Sequence, residues 1–321
     1  MSTHSDPMKS PASNVLEHTL AWCASVLGPV EVASDSSKIH GDHESTTCRL
    51  HTPLGFCYLK IHQDLSHWHQ EVHAYKHWVG AFGDFAPTLL AVHDEAPLAL
   101  IVSELPGQIM EKTQWLPVQE RAIWRSAGAA LSAFHACESN GCFGPCLRDG
   151  TCTDAFPPNA RDYVSMRFRR QIERAISAGY LIQDESATLQ AAYELIPAFE
   201  GERPFPCHRD YCPANWLVSK EGTWAGVIDF EFSYGDVRVS DFSRDPNWSW
   251  IHRPDLYEAF FDGYARSMTP VEERQLLVAH AEYALSAIVW GHDHAFYGFE
   301  QEGHESLAHL TARLKWGTTS L

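Results

Sequence analysis

This 321-residue chain has no apolar run near the roughly 18 residues that a membrane-spanning helix needs. A membrane-embedded role is therefore not expected. Basic character is also lacking. Lysine and arginine number 24 against 41 aspartates and glutamates, giving a net charge of −17 with histidines neutral. No basic patch stands out, so a nucleic-acid partner is not expected either. The same negative field attracts cations. It leans toward a cationic small-molecule partner, although plain solubility charge reads equally well. Internal repeats, coiled-coil heptads and low-complexity linkers are absent too, which excludes solenoids and long fibrous assemblies. Nothing in the sequence points to an obligate protein partner.

Met1–Asn14 is polar and lacks the apolar core of a secretory signal. It reads as a flexible tail, and the protein is expected in the cytoplasm. The nine cysteines are odd in number and scattered, which argues against a disulfide framework and fits a reducing compartment. Cys142, Cys146 and Cys152 lie close together without a second pair at zinc spacing, and they read as loop cysteines. His292-Asp293-His294 has no accompanying His-Glu-x-x-His pattern and reads as ordinary helix or surface histidines.

What is present has a clear order. Val30–Ala33 is β-rich. Thr46–His51 and Gly55–Ile61 flank a turn at Thr52-Pro53-Leu54 and predict a hairpin. From Ser66 to Val79, Trp68, Val72, Tyr75 and Trp78 recur at helical spacing. Two further strand-like runs, Thr88–His93 and Leu98–Glu104, end at Pro106-Gly107. Helical patterns then dominate: Val118–Cys137, Val164–Ala178, Ala187–Phe199 and the chain from Asp255 onward. A short β section spans Asn215–Phe232. The expectation is an α+β protein: an antiparallel-sheet lobe over 15–105, then a helical lobe over 106–321, hinged at Glu104–Gly107.

The chemistry concentrates in Pro206–Asn215, where His208-x-Asp210 is followed five residues later by Asn215. The apolar run Trp216-Leu217-Val218, a turn at Lys220–Thr223, and a second run from Trp224 to Ile228 predict a hairpin. That hairpin returns the chain so that Asp229 arrives beside Asn215. The result is one carboxylate able to orient a hydroxyl and take its proton, with two oxygen ligands suited to magnesium. A polar loop that merely caps and turns before a strand pair is the plain alternative.

The first lobe offers an independent check. Lys60 sits in the apolar strand Phe56–Ile61, where a charge is otherwise unexpected. Glu71 lies eleven residues later on the predicted helix, along the stripe of Trp68, Tyr75 and Trp78. A buried carboxylate needs a partner, and Lys60 is the candidate. The pair is what a nucleotide kinase uses to hold phosphates. A strand-edge lysine beside a helix-flank glutamate is the alternative. Between the first two strands, Ser36–Ser45 stands where a phosphate-covering loop belongs, but it has one glycine and carries Asp42 and Glu44.

These residues together resemble the aminoglycoside phosphotransferase superfamily, small-molecule kinases that include choline, ethanolamine and homoserine kinases. The resemblance runs from about residue 30 to about 265. It is carried by His208–Asn215, Val227–Glu231, Gly235-Asp236, Asp241, the hinge-like Leu100–Gly107 and Leu131–His135. It implies a bilobal protein-kinase-like fold. Asp210 would be the catalytic base, and Asn215 and Asp229 the Mg2+ ligands. Lys60 would hold phosphate, braced by Glu71, and the hinge backbone at Ser103, Glu104 and Leu105 would hold the purine. Asp236 and Asp241 would tie the loop after Asp229 to the catalytic loop. True protein kinases differ: Glu231 replaces their glycine, Cys212 their lysine, and no Ala-Pro-Glu follows.

The implied reaction transfers the γ-phosphate of ATP, with GTP as the alternative donor, to a hydroxyl of a small molecule. The acceptor first in line is an aminoglycoside or related antibiotic. A metabolic acceptor such as choline, ethanolamine, homoserine or a sugar is the alternative. A nucleotide-binding regulator without catalysis is the alternative of another class, and the intact set of five polar residues argues against it. For the acceptor side, the acidic residues after Asp255 and the aromatics Trp248 and Trp250 are the features to follow.

Overall fold

The computed structural model describes residues 11–35, 45–182 and 184–317. The chain opens with helix α1 (Pro11–Leu27). Strands β1 (Glu31–Asp35), β2 (Ser45–Thr52) and β3 (Gly55–His62), helix α2 (Leu65–His77), and strands β4 (Leu89–His93) and β5 (Ala99–Ser103) follow. The five strands form one antiparallel sheet in the order β1-β2-β3-β5-β4. The sheet-then-helix order read from the sequence holds. Residues 11–14, expected in the flexible tail, belong to α1, and residues 1–10 lie outside the described residues. The expected phosphate-covering loop falls largely outside the described residues.

Period-two alternation assigns the two faces of this sheet. Cys48, Leu50, Cys57, Leu59, Ile61 and Ile101 point to one side and pack with Cys23, Leu16 and Leu20 of α1. Leu100 and Val102 point to the other and meet Trp68 and Val72 of α2. Lys60 lies between Leu59 and Ile61, so it shares the α2 face, where Glu71 is also buried. Asp64 caps α2, accepting from the His67 N–H at 2.8 Å.

The second part begins with β6 (Gln108–Ile109) and contains α3 (Pro117–His135), α4 (Ala160–Ala178), α5 (Glu185–Tyr193), β7 (Phe205–Cys207), β8 (Trp216–Val218), β9 (Trp224–Val227) and β10 (Tyr234–Asp236). It ends with α6 (Asp245–His252), α7 (Pro254–Tyr264), α8 (Pro270–Asp293) and α9 (Tyr297–Gly317). Strands β6, β8 and β9 form one small sheet, and β7 pairs with β10 in another. The expected helix over 187–199 is shorter and ends in a 3-10 turn, Ile196–Phe199, because Pro197 cannot continue an α-helix. The core of this part gathers Trp124, Phe134, Trp216, Phe242 and Phe260 with Leu276, Leu285 and Ile288 of α8.

Trp250 belongs to that core. It is 6% exposed and packs against Phe260, Phe261 and Tyr257. Trp248 packs edge-on against His252 and His309. Neither is an exposed aromatic platform. Many of the acidic residues after Asp255 hold partners within the chain: Asp262 with Arg125, Glu272 with Arg238, Glu282 with Arg167, Asp293 with Arg174 and Tyr180, and Glu300 with His292.

The loop between α3 and α4 bridges the two parts. Its Arg148 N–H donates to His69 Nδ1 at 3.3 Å, and its guanidinium pairs with Asp94 and lies 5.4 Å from the Trp68 ring centre. At the other end, the Gly144 N–H donates to the Gly235 carbonyl at 2.8 Å. Gly150 adopts φ +86°, and a Cβ there would sit 2.7 Å from the His73 ring. The position therefore requires glycine. Cys142 and Cys152 close this loop as a disulfide, ten positions apart. That corrects the reading of Cys142 and Cys152 as plain loop cysteines. The pairing follows from the fold of the loop, where the backbones at 146 and 152 already form a bridge.

Candidate active site

Burial at one point of the cleft selects charged residues that neutralise one another. Lys60 Nζ lies 2.5 Å from Asp229 Oδ1, 2.9 Å from Glu231 Oε2 and 3.2 Å from Glu71 Oε2. Burial opposes the charge on Lys60, but Asp229, Glu71 and Glu231 outweigh it and raise its pKa well above the ordinary value. Burial likewise opposes ionisation of Asp229, and Lys60 overcomes it, so the Asp229 carboxyl sits below its usual range. Glu71 behaves the same way, with Lys60 first and His62, 2.8 Å away, second among the charges that offset its burial. The expected Lys60–Glu71 pair is therefore present. Glu231, noted in the sequence only as standing in the place of a glycine, is a third anion on the same lysine.

The catalytic-loop geometry is set by two buried carboxylates. Asp241 accepts from the backbone N–H groups of His208 (2.9 Å) and Arg209 (2.5 Å), and from His135 Nε2 at 2.9 Å. Asp236 binds Arg209 Nε at 2.8 Å and an Arg167 guanidinium nitrogen at 2.6 Å. These bonds hold Arg209 at φ +65°, a conformation a long side chain rarely adopts unaided. Burial also fixes the state of His208. It lowers the pKa of the imidazole, leaving a neutral ring. Nε2 faces the Ile228 carbonyl at 3.1 Å, and the Asp210 N–H approaches Nδ1 at 3.3 Å. The two contacts assign the proton to Nε2.

Asp210 and Asn215 meet directly. Asn215 Nδ2 donates to Asp210 Oδ2 at 2.7 Å and to its backbone carbonyl at 2.9 Å. The Ile228 N–H donates to the Asn215 carbonyl at 3.0 Å, which brings the end of β9 alongside the loop. Asp229 follows at φ +71° and turns toward Lys60. The other oxygen of Asp210, Oδ1, pairs with the Arg244 guanidinium. Sequence reasoning missed Arg244, since nothing local marks it.

The donor chemistry suits magnesium. With Nδ2 of Asn215 and Oδ1 of Asp229 engaged, Asn215 Oδ1 and Asp229 Oδ2 are the oxygens left to face a cation. At the hinge, Ser103 exchanges bonds with Thr88, and the Glu104 carboxylate grips Arg49 through two bonds. Leu105 packs close to Gly226. Hence Lys60, Glu71 and Asp229 form one charged cluster and Asp210 and Asn215 another, brought side by side where Ile228 bonds to Asn215, while Ser103–Leu105 line the link between the two parts.

The fold has solved counterparts. An apo thermostable mutant of aminoglycoside phosphotransferase APH(4)-Ia superposes with a TM-score of 0.70 at 13% identity, covering 92% of this chain and 98% of that one. A variant of the same enzyme in ternary complex with AMP-PNP and hygromycin B gives 0.68 at 14% identity, over 92% and 98%. The streptomycin–ATP complex of APH(2")-IIa gives 0.61 at 15% identity, over 94% and 97%. A comparison with curated protein sequences finds no match. The model of the phosphotransferase enzyme family matches residues 35–275, most of the chain and all of the converging polar set. The chain belongs to that family and is a small-molecule phosphotransferase.

Proposed function

We propose that this protein transfers the γ-phosphate of ATP, or of GTP, to a hydroxyl group of a small molecule in a magnesium-dependent reaction. The observation that carries the reading is that the Asp210–Asn215 pair and the Lys60–Asp229 pair are brought side by side by the Ile228–Asn215 backbone bond. Asp210 orients the acceptor hydroxyl and takes its proton. Lys60, braced by Glu71, holds nucleotide phosphate. Asn215 and Asp229 would hold magnesium, which supplies positive charge to the phosphate oxygens when bound. The hinge backbone at Ser103, Glu104 and Leu105 holds the purine, so 15–105 serves as the nucleotide lobe and 106–321 as the catalytic and acceptor lobe. A cytoplasmic setting goes with this reading, since magnesium-bound nucleotide is abundant there, while the Cys142–Cys152 disulfide withdraws the support that the cysteine pattern gave it.

An aminoglycoside or related antibiotic is the first acceptor class, supported by the fold shared with enzymes crystallised with hygromycin B and streptomycin. A metabolic hydroxyl acceptor is the second. One observation favours it: carboxylates that could bind a polycation, such as Asp262, Glu282 and Asp293, already hold arginines of the chain.

The test is ADP or GDP release by purified protein with magnesium, across aminoglycosides, choline, ethanolamine, homoserine and simple sugars, with Asp210→Ala as control. Release stimulated by one compound and lost in the control supports the reading and names the acceptor. Stimulated release that survives Asp210→Ala overturns the role of that residue.

A further inference from the structure

Asp210 has a second partner that the kinase reading does not use. Asn215 holds Oδ2, and the Arg244 guanidinium occupies Oδ1. An acceptor hydroxyl approaching the base meets the guanidinium on that oxygen, so Arg244 has to move when the acceptor arrives. It is built to do so. Its side chain is 32% exposed, and its guanidinium carbon lies 5.9 Å from the Phe299 ring centre, near the outer limit of a cation–π contact. Its backbone is fixed. Arg244 caps α6 directly after the 3-10 helix Arg238–Phe242, which carries Asp241, the residue that holds the His208 and Arg209 amides. The guanidinium is thus a partly exposed charge whose backbone is referenced to the catalytic loop.

Where it moves follows from charge. A guanidinium displaced from Asp210 is drawn to the anion that enters beside it. Lys60 lies on the Asp229 side of the site, engaged by Asp229, Glu71 and Glu231. The position two residues after the base, where a local cation could stand, is the buried and uncharged Cys212. The anion that reaches Asp210 in the reaction is the transferred phosphoryl group. We propose that Arg244 is a catalytic cation of this enzyme, parked on Asp210 at rest and bound to the transferred phosphoryl group during reaction. This rests on the kinase reading above. In the step, the acceptor oxygen bonds to the γ-phosphorus, and its proton passes to Asp210. The bond from phosphorus to the β,γ-bridging oxygen breaks, and its electron pair stays on the nucleoside diphosphate. Arg244 stabilises the equatorial oxygens through that exchange, as an arginine supplied within the chain.

The test needs no acceptor. Affinity for Mg–ADP (or Mg–GDP, whichever binds) is measured by calorimetry with and without aluminium fluoride, a mimic of the transferring phosphoryl group. Wild type, Arg244→Met and Arg244→Lys are compared, with thermal unfolding to confirm folding. Wild type is expected to gain roughly 100-fold with fluoride. Arg244→Met should lose most of that gain while binding Mg–diphosphate within about twofold of wild type, and Arg244→Lys should keep part of it, since lysine is a point charge without the planar fork. Acceptor-free nucleotide hydrolysis by Arg244→Met should fall about 10³-fold. A full fluoride gain in folded Arg244→Met overturns the proposal, as does a fall in acceptor-dependent turnover alone, which would give Arg244 to the acceptor instead. Wild type that binds magnesium nucleotide but gains nothing from fluoride overturns it too. Wild type that binds no magnesium nucleotide at all overturns the kinase reading on which it stands.

Discussion

Lys60 Nζ and Asp229 Oδ1 lie 2.5 Å apart although 169 positions separate them in the chain. The pair joins the five-stranded sheet to the end of β9, so the lysine proposed to hold nucleotide phosphate is positioned by the residue proposed to hold magnesium. Asp229→Ala removes a proposed metal ligand and frees Lys60 to lean on Glu71 and Glu231. Affinity for magnesium nucleotide should fall by about 1.5–3 kcal/mol, tenfold to more than a hundredfold. Titration calorimetry with and without magnesium measures it, and unchanged affinity contradicts the assignment.

Asp236 is fully buried between Arg167 and Arg209. Asp236→Ala leaves two arginines without their anion, and stability should fall by about 3–5 kcal/mol in denaturant titration. Arg209 also loses its anchor at positive φ, so turnover should fall in the protein that remains folded. The arginines outweigh the burial that opposes its charge and hold the Asp236 carboxyl below its ordinary value. Its contribution is therefore complete above about pH 4 and is lost as pH drops through the folded value. A loss under about 1 kcal/mol on substitution would show that the two arginines reach solvent.

His280 on α8 is 1% exposed, and burial, with Arg313 and His309 nearby, depresses its pKa to about 3. The unfolded chain binds the proton near pH 6.5 while the folded one does not. The stabilisation is therefore full above about 6.5 and declines as pH falls toward 3. Between pH 7 and 5 this one group should remove about 2 kcal/mol. His280→Gln should flatten that slope in urea titrations at the two pH values; an unaltered slope would assign the acid sensitivity elsewhere.

Gly226, in β9, runs under the 3-10 segment Val79–Phe85. It adopts φ +139°, and a Cβ there would stand 2.1 Å from the Phe85 carbonyl oxygen. Gly226→Ala should destabilise by roughly 2–4 kcal/mol, because backbone rather than a side-chain tip must yield. A melting point within a degree of wild type would mean that the strand can shift without loss.

Cys152→Ser opens the ten-position loop that Cys142 closes. The unfolded chain regains the freedom of that loop, and stability should drop by about 2–3 kcal/mol. Reductant should lower the wild-type unfolding midpoint and leave Cys152→Ser where it is. Equal response of both proteins would place the reductant effect at another site.

Much of the site was legible in the sequence because its spacing is local. Asp210 and Asn215 share a loop, the hairpin to Asp229 is marked by a turn between apolar runs, and the Lys60 and Glu71 charges interrupt apolar patterns. Arg244 was illegible: its meaning lies in a contact across 34 positions with no periodicity to reveal it. Glu231 carried a signal, a second carboxylate two residues after Asp229, that points to a shared cation. The α1 pattern is present in Leu16, Leu20, Cys23 and Leu27 at helical spacing, but it directly follows the polar stretch Met1–Asn14, which carries no such pattern. Trp250 stays open at the level of sequence: an aromatic cluster reads alike whether it lines a cleft or fills a core, and only the packing of α6 against α7 decides.

The α3–α4 loop has a mechanical consequence. The sheet and the helices are joined covalently at Glu104–Gly107 and held again where Arg148 meets His69 and Asp94. Between them, Ala74, Trp78, Phe82 and Ala86 enter the same apolar core as Phe134 and Phe230. The helix that carries Glu71 is thereby seated in the body that also carries the neighbour of Asp229, so the spacing of Glu71, Lys60 and Asp229 is set by packing and not by the linker alone.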